Sequence, residues 1–345
     1  MQRHRADSNA AALAEENRVR WLVLIGAMML VASAQLRAAK PQVLVIESYH
    51  AEYAWDQSYR RGLEQFLMPY AELSYFQMDT KRLPPSRHQE RAEAAWQYAL
   101  TVDADLFILG DDNALRFLGP RLADTGKPLV YLGINQNPRR YLGEPRSNVS
   151  GVLERPLLKR SIAYLNLVMG RPLDKVLVLF DGGTTSKTVL EESFSGRSLQ
   201  RIGSTLVDIR LIARQSQWQR TIRNAQAEGF DLIVVGLYHT LVDDEGNHVN
   251  EQRVIEWSAL HSPLPLFGFW SFSVGAGMTA GGLVLDGYEQ GRAAGQMAVN
   301  ILKGEPPPRL PVTPGSGKLI FSRSQLQRWG IGLPSRLQEE AEFVP

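Results

Sequence analysis

From Pro41 onward, short runs of apolar residues alternate with stretches whose apolar positions recur at helical spacing. "QVLVIESY" (42–49), "ELSYFQMD" (72–79), "ADLFILG" (104–110) and "KPLVYLGIN" (127–135) read as strands. Between them, 56–67, 86–100 and 112–124 read as helices; in the first, Tyr59, Leu63, Phe66 and Leu67 share a face. Val, Ile and Leu run almost without interruption through the strands, which predicts burial on both faces. That is the pattern of a parallel sheet with helices on each side.

After "SNVSGV" (147–152) the rhythm restarts. Helices are expected over 155–170, 185–201, 216–228 and 251–261, and strands over 175–182, 204–213, 230–238 and 264–270. "ADLFILG" followed by "KPLVYLGI" is echoed by "FDLIVVG" followed by "LPLFGFW", with the polar stretch 239–249 as an insertion. A helix over 286–304, a stiff Pro-rich segment over 305–315 and a strand and short helix over 318–334 close the chain. These late elements are expected to complete the two sheets by crossing between them. The fold class is therefore α/β, with two tandem open parallel-sheet lobes and a hinge cleft. The expected lobes are 40–150 plus about 275–308, and 151–274 plus about 309–336, with 337–345 as a tail.

Charge and composition narrow the function. The net charge is +2 and the basic residues are scattered, so no nucleic-acid partner is expected. No cysteine is present, which excludes disulfides, thiolate zinc sites and thiol nucleophiles. Arg18 and Arg20 precede the uncharged run "WLVLIGAMMLVASA" (21–34), and "ASA" (32–34) supplies small residues for a signal peptidase. Residues 1–39 are thus expected to be a signal peptide or a retained membrane anchor, and the remainder an exported, periplasmic protein.

In open parallel sheets ligands bind beyond the carboxyl ends of the strands. There the first half offers Ser48, Tyr49, His50, Tyr53 and Trp55, then Asp111, Asp112 and Asn113, then Asn135, Gln136 and Asn137. The second half offers Asp181 to Ser186, Tyr238 and His239, and Trp270 and Ser271. Aromatic walls with a few directed polar groups suit a small molecule. Each residue also has a structural alternative: Tyr49 and Trp55 as packing for the first helix, Asp111 or Asp112 as its neighbour's cap, Asn135 and Asn137 as turn residues. "DGGTTSKT" (181–188), with Gly183, Thr184 and Thr185, resembles an anion cradle without the P-loop spacing. No Gly-x-Ser-x-Gly elbow or His-Glu-x-x-His pair occurs, so neither an enzyme nor a cofactor or metal is expected.

Three stretches together resemble one family. "VLVIESYHAEYAWDQSYRRGLEQFL" (43–67), "GGLVLDGYEQGRAAGQMAVNILKGEPP" (281–307) and "KLIFSRSQLQRWGIGLP" (318–334) are similar to the exported substrate-binding proteins of ABC transporters with the type I periplasmic-binding fold. The resemblance implies a ligand held between two lobes, touched by Ser48, Tyr49, His50 and the loop at Asp111 on one side and by "GGTTS" on the other. It implies a receptor serving a membrane permease or, as in related sensing domains, a membrane sensor; a monomer is expected. Insertion 239–249 and "FGFWSF" (267–272) depart from what amino-acid-binding members show.

Overall fold

The computed structural model describes residues 40–315 and 317–345; the expected leader at 21–34 lies outside them. Among the described residues no helix is long and apolar enough to cross a membrane. Strands β1 (Gln42–Glu47), β2 (Glu72–Gln77), β3 (Leu106–Gly110), β4 (Leu129–Ile134) and β5 (Val149–Leu153) form a parallel sheet in the order β2-β1-β3-β4-β5. Successive side chains of β1 enter opposite layers, as the pleat requires. Val43 and Val45 join one core, Leu44 and Ile46 the other, and all four are fully buried. Each such side chain stabilises the fold by roughly 1.5–3 kcal/mol. Helices α1 (Ala54–Leu67), α2 (His88–Thr101), α3 (Asp111–Ala123) and α4 (Arg139–Leu142) connect these strands.

The second lobe runs α5 (Leu158–Val168), β6 (Lys175–Asp181), α6 (Thr184–Ser193), β7 (Leu199–Ile202), β8 (Thr205–Ile212), α7 (Gln215–Asn224), β9 (Leu232–Val235), α8 (Glu251–His261) and β10 (Leu266–Gly268). Its sheet has the order β10-β9-β6-β8-β7, parallel except for β7, which is antiparallel to β8. One apolar cluster joins inward residues of both sheets, Val43 and Val45 with Val176 and Val178.

Three expectations are corrected. The helix expected over 185–201 ends at Ser193, because Ser195 (φ 57°) and Gly196 (φ 67°) turn the chain back into β7. "SNVSGV" is not a plain boundary: it supplies β5, whose Gly151 lies so close to Tyr131 that a Cβ there would sit 2.3 Å from its ring. The late strands do not extend the two large sheets. β11 (Gly281–Val284) pairs antiparallel with β12 (Lys318–Ser322), and β13 (Glu342–Val344) joins β12 in parallel, giving a separate three-stranded sheet. Residues 337–345, expected as a tail, thus carry part of the helix Ser335–Glu340 and an edge strand.

Between β11 and β12, α9 (Gly287–Leu302) lies directly on α1. Glycines permit that approach: a Cβ at Gly62 would meet the Tyr288 carbonyl at 2.3 Å, and one at Gly291 the Tyr59 carbonyl at 1.9 Å. Asp286 caps α9 by accepting from the Tyr288 N–H, and it also holds Ser58 and Lys318. The Pro-rich segment is extended, and Val312 pairs with Val152. Each large sheet reverses its winding beside its first strand, β1 next to β3 and β6 next to β9, which places a crevice at those carboxyl ends.

Candidate functional site

The end of β1 is fixed by Ser48. Its hydroxyl donates to the Gly110 carbonyl (2.6 Å) and accepts from the Ala114 N–H (2.8 Å). Ser48 therefore caps α3 from the neighbouring strand, a task expected of Asp111 or Asp112, and its hydrogen-bonding capacity is spent inside the first lobe. Asp112 is spent too: it accepts from the Asn135 and Gln136 N–H groups and from the Tyr141 hydroxyl, tying the loop after β4 to α3.

The residues left over converge on an inner chamber. Tyr49, Tyr53, Trp55, Lys81, Asp111, Asn135 and Glu154 line it from the first half of the chain, and Thr185, Leu237, Trp270 and Phe272 from the second. Its free space is about 10 Å³, enough for about one water molecule. The walls are aromatic: Tyr53 meets His239 edge-on at 4.9 Å and Phe272 at 5.9 Å, and Trp270 stacks on Phe272 at 6.2 Å. The Tyr49 and Thr185 hydroxyls lie 3.5 Å apart across the gap. Three buried polar atoms in this chamber have no hydrogen-bond partner: Trp55 Nε1, Asp111 Oδ2 and Asn135 Oδ1. Such groups are costly when unpaired. Asp111 also has φ 66°, an unusual value for a residue with a side chain. Gly133 gives its carboxylate room, since a Cβ there would stand 2.9 Å from Asp111 Oδ1.

The second-lobe side is built differently. Asp181, at the end of β6, accepts from the Gly183 N–H (3.1 Å), the Ser186 hydroxyl (2.5 Å) and the Thr240 N–H (3.0 Å). The "DGGTTSKT" loop was expected to cradle an external anion, but the N–H of its second glycine, Gly183, is taken by this internal carboxylate. Gly183, Thr184 and Thr185 instead line an outer cavity of about 600 Å³, together with Lys81, Arg82, Lys187 and the insertion residues Thr240, Val242, Gly246 and His248. Inner and outer spaces share Tyr49, Lys81, Thr185 and Leu237.

Three expected residues face neither space. Ser48 is the cap described above; His50 pairs with Glu52 at 3.0 Å; Tyr238 stacks on His239 at 4.3 Å within the core of the second lobe. Four residues of the chamber were not among the expected site residues: the apolar Leu237 and Phe272 and the charged Glu154 and Lys81. Glu154 follows β5, the strand hidden in "SNVSGV". Lys81 follows β2, whose exit was not among the strand ends collected; its ammonium lies 4.4 Å from the Tyr49 ring centre and 5.0 Å from that of Tyr53.

Burial controls the ionisation of the chamber. It raises the Asp111 carboxyl well above the usual range, helped by the nearby Asp56 and Glu154 charges. Glu154 is pushed up to about 7 by burial, although Trp270 Nε1 (2.6 Å) and Asn135 Nδ2 (3.1 Å) donate to it. Burial, then the Lys81 charge, hold His239 well below its ordinary value. Among the described residues no group of three or more His, Cys, Asp or Glu is placed to hold a metal ion.

The family model described as "ABC transporter substrate binding protein" matches residues 131–344, more than half of the chain. The chain belongs to this family. No curated protein matches the sequence. Among solved structures, a conserved domain protein from Vibrio cholerae O1 biovar eltor is 15% identical with a TM-score of 0.60, covering 89% of this chain and 100% of its own. An ABC domain in complex with L-Trp from Streptococcus pneumonia is 17% identical with the same TM-score and the same two coverages. A ligand-free, open substrate binding protein with adhesive properties from Clostridium difficile is 15% identical with a TM-score of 0.60, covering 88% of this chain and 99% of its own. At these identities the likeness is one of fold: the two parallel-sheet lobes of the ABC substrate-binding family are those of type I periplasmic-binding proteins.

Proposed function

We propose that this family member is an exported receptor that captures a small solute in the inner chamber and delivers it to the membrane permease of an ABC transporter. One observation carries this reading. Trp55 Nε1, Asp111 Oδ2 and Asn135 Oδ1 stand unpartnered in a chamber walled by five aromatic rings from both halves of the chain. A purely structural core would have paired them or done without them. A solute that satisfies them from the first lobe, and touches Thr185, Trp270 and Phe272 of the second, favours the closed arrangement by the difference in its contacts. The structures with L-Trp and with myo-inositol, from Streptococcus pneumonia and Acidothermus cellulolyticus, are consistent with such a role for the fold.

The test is to purify the full chain without denaturation and identify by mass spectrometry any small molecule it carries. Titrating that molecule into the emptied protein should change its tryptophan fluorescence, because Trp55 and Trp270 line the chamber. Trp55→Ala should weaken binding by about tenfold, or about 1.4 kcal/mol. Unchanged affinity in that variant removes Trp55 from the site.

A further inference from the structure

The two spaces differ in charge, and the difference describes the solute. Among the buried atoms of the inner chamber, Asp111 Oδ2 and Asn135 Oδ1 lack a donor and Trp55 Nε1 lacks an acceptor. Asp111 and Glu154 are its acidic groups, and Lys81 is the one cation in its lining. That ammonium is held over the faces of Tyr49 and Tyr53 and forms no ion pair with a described residue. An incoming group that brings donors to Asp111 and Asn135 and tolerates aromatic faces fits this lining, as an ammonium does with three N–H bonds and its attraction to rings.

The remainder of the solute has to leave this small chamber. The shared residues Tyr49, Lys81, Thr185 and Leu237 direct it into the outer cavity. There Lys81 and Lys187 are without ion-pair partners among the described residues, whereas the acidic Asp181 is already satisfied by three donors. The hydroxyl of Thr240 is unpartnered on the same wall.

Resting on the receptor reading above, we propose that the solute is bipolar: its ammonium head lies against Asp111 and Asn135 in the inner chamber, and its anionic body extends past Lys81 toward Lys187 in the outer cavity. Lys81 stands at the boundary and pairs with the anionic body when the ammonium head takes the place between the aromatic rings and Asp111. A neutral polyol satisfies the inner acceptors but leaves the two outer lysines without a counter-charge. An anion without an amine does the reverse.

The experiment is a thermal-shift and calorimetric panel on the full chain with four classes of probe. These are molecules bearing both charges (glutamate, 6-aminohexanoate, Gly-Glu), amines without an anion (putrescine, tyramine), anions without an amine (succinate, citrate), and uncharged polyols (glucose, myo-inositol). The tightest binder should come from the first class. For that binder Asp111→Asn should weaken affinity tenfold or more, and Lys187→Gln threefold or more. A polyol or a simple anion as the tightest binder overturns the bipolar proposal and leaves the receptor reading standing. A folded protein that responds to none of the four classes counts against both. The panel on the unaltered protein decides the matter even where Asp111→Asn fails to fold.

Discussion

Asp111 and Asp181 occupy matching places: each follows the central region of its sheet at a carboxyl end, and each is almost wholly buried. Their surroundings are opposite. Asp181 receives three hydrogen bonds from its own lobe, whereas Asp111 Oδ2 receives none and its backbone is held at φ 66°. The contrast separates a carboxylate that builds a loop from one that the proposed receptor reading assigns to the solute. In the inner chamber the unsatisfied buried atoms, Asp111 Oδ2, Trp55 Nε1 and Asn135 Oδ1, all come from the first lobe, whereas on the second-lobe side the Thr240 hydroxyl and His239 Nδ1 are without a partner. On the proposed receptor reading, the unsatisfied groups of the first lobe make the inner polar contacts of the solute, and Thr185, Trp270 and Lys187 of the second complete the site.

Asp181→Ala should break the contrast most severely. It strands the Gly183 and Thr240 N–H groups and the Ser186 hydroxyl, and should lower stability by roughly 3–5 kcal/mol. Urea denaturation measures this; a loss below about 1 kcal/mol, the value of an ordinary hydrogen bond, would mean that the loop holds itself without the carboxylate.

Glu154 comes next, through pH. Its pKa of about 7 in the folded chain lies above the ordinary 4.5. The folded state thus retains a proton that the unfolded state releases between those values. Its contribution to stability falls as pH rises from 4.5 to about 7 and then levels, by roughly 3 kcal/mol in all. Glu154→Gln should remove that part of the slope, so that melts at pH 5 and pH 8 differ less than in the parent. An equal difference in both proteins contradicts the assignment.

The smallest expected effect belongs to Ser48→Ala. Loss of the cap on α3 should cost about 1 kcal/mol while solute affinity stays within twofold. A large loss of affinity with unchanged stability would return Ser48 to the binding site.

Much of this architecture is legible in the apolar runs, because a strand buried on both faces leaves a pattern no surface segment shares. β1, β3, β4, β6 and β9 all announced themselves in this way. β5 did not: Ser150 and Gly151 are poor strand formers, and Gly151 is there because Tyr131 leaves no room for a Cβ. With β5 hidden, Glu154 at its exit was hidden as well. The break at Ser195 and Gly196 was masked by helix-like spacing on both sides of it. Of the expected site, Tyr49, Tyr53, Trp55, Asp111, Asn135, Thr185 and Trp270 do meet in one chamber. Whether a polar residue at a strand end is spent or spare depends on partners from distant segments. Ser48 finds Gly110 and Ala114, Asp112 finds the loop after β4, and Asp181 finds Thr240. Local pattern carries no record of those meetings.

The most direct test is a crystal structure of the full-length chain's soluble part purified straight from its own cells. A small molecule lying within hydrogen-bond distance of Asp111 Oδ2 and Asn135 Oδ1, in contact with Trp55 and Trp270, is the predicted result. A solute bound elsewhere on the protein, with those two oxygens facing only protein or water, would contradict it.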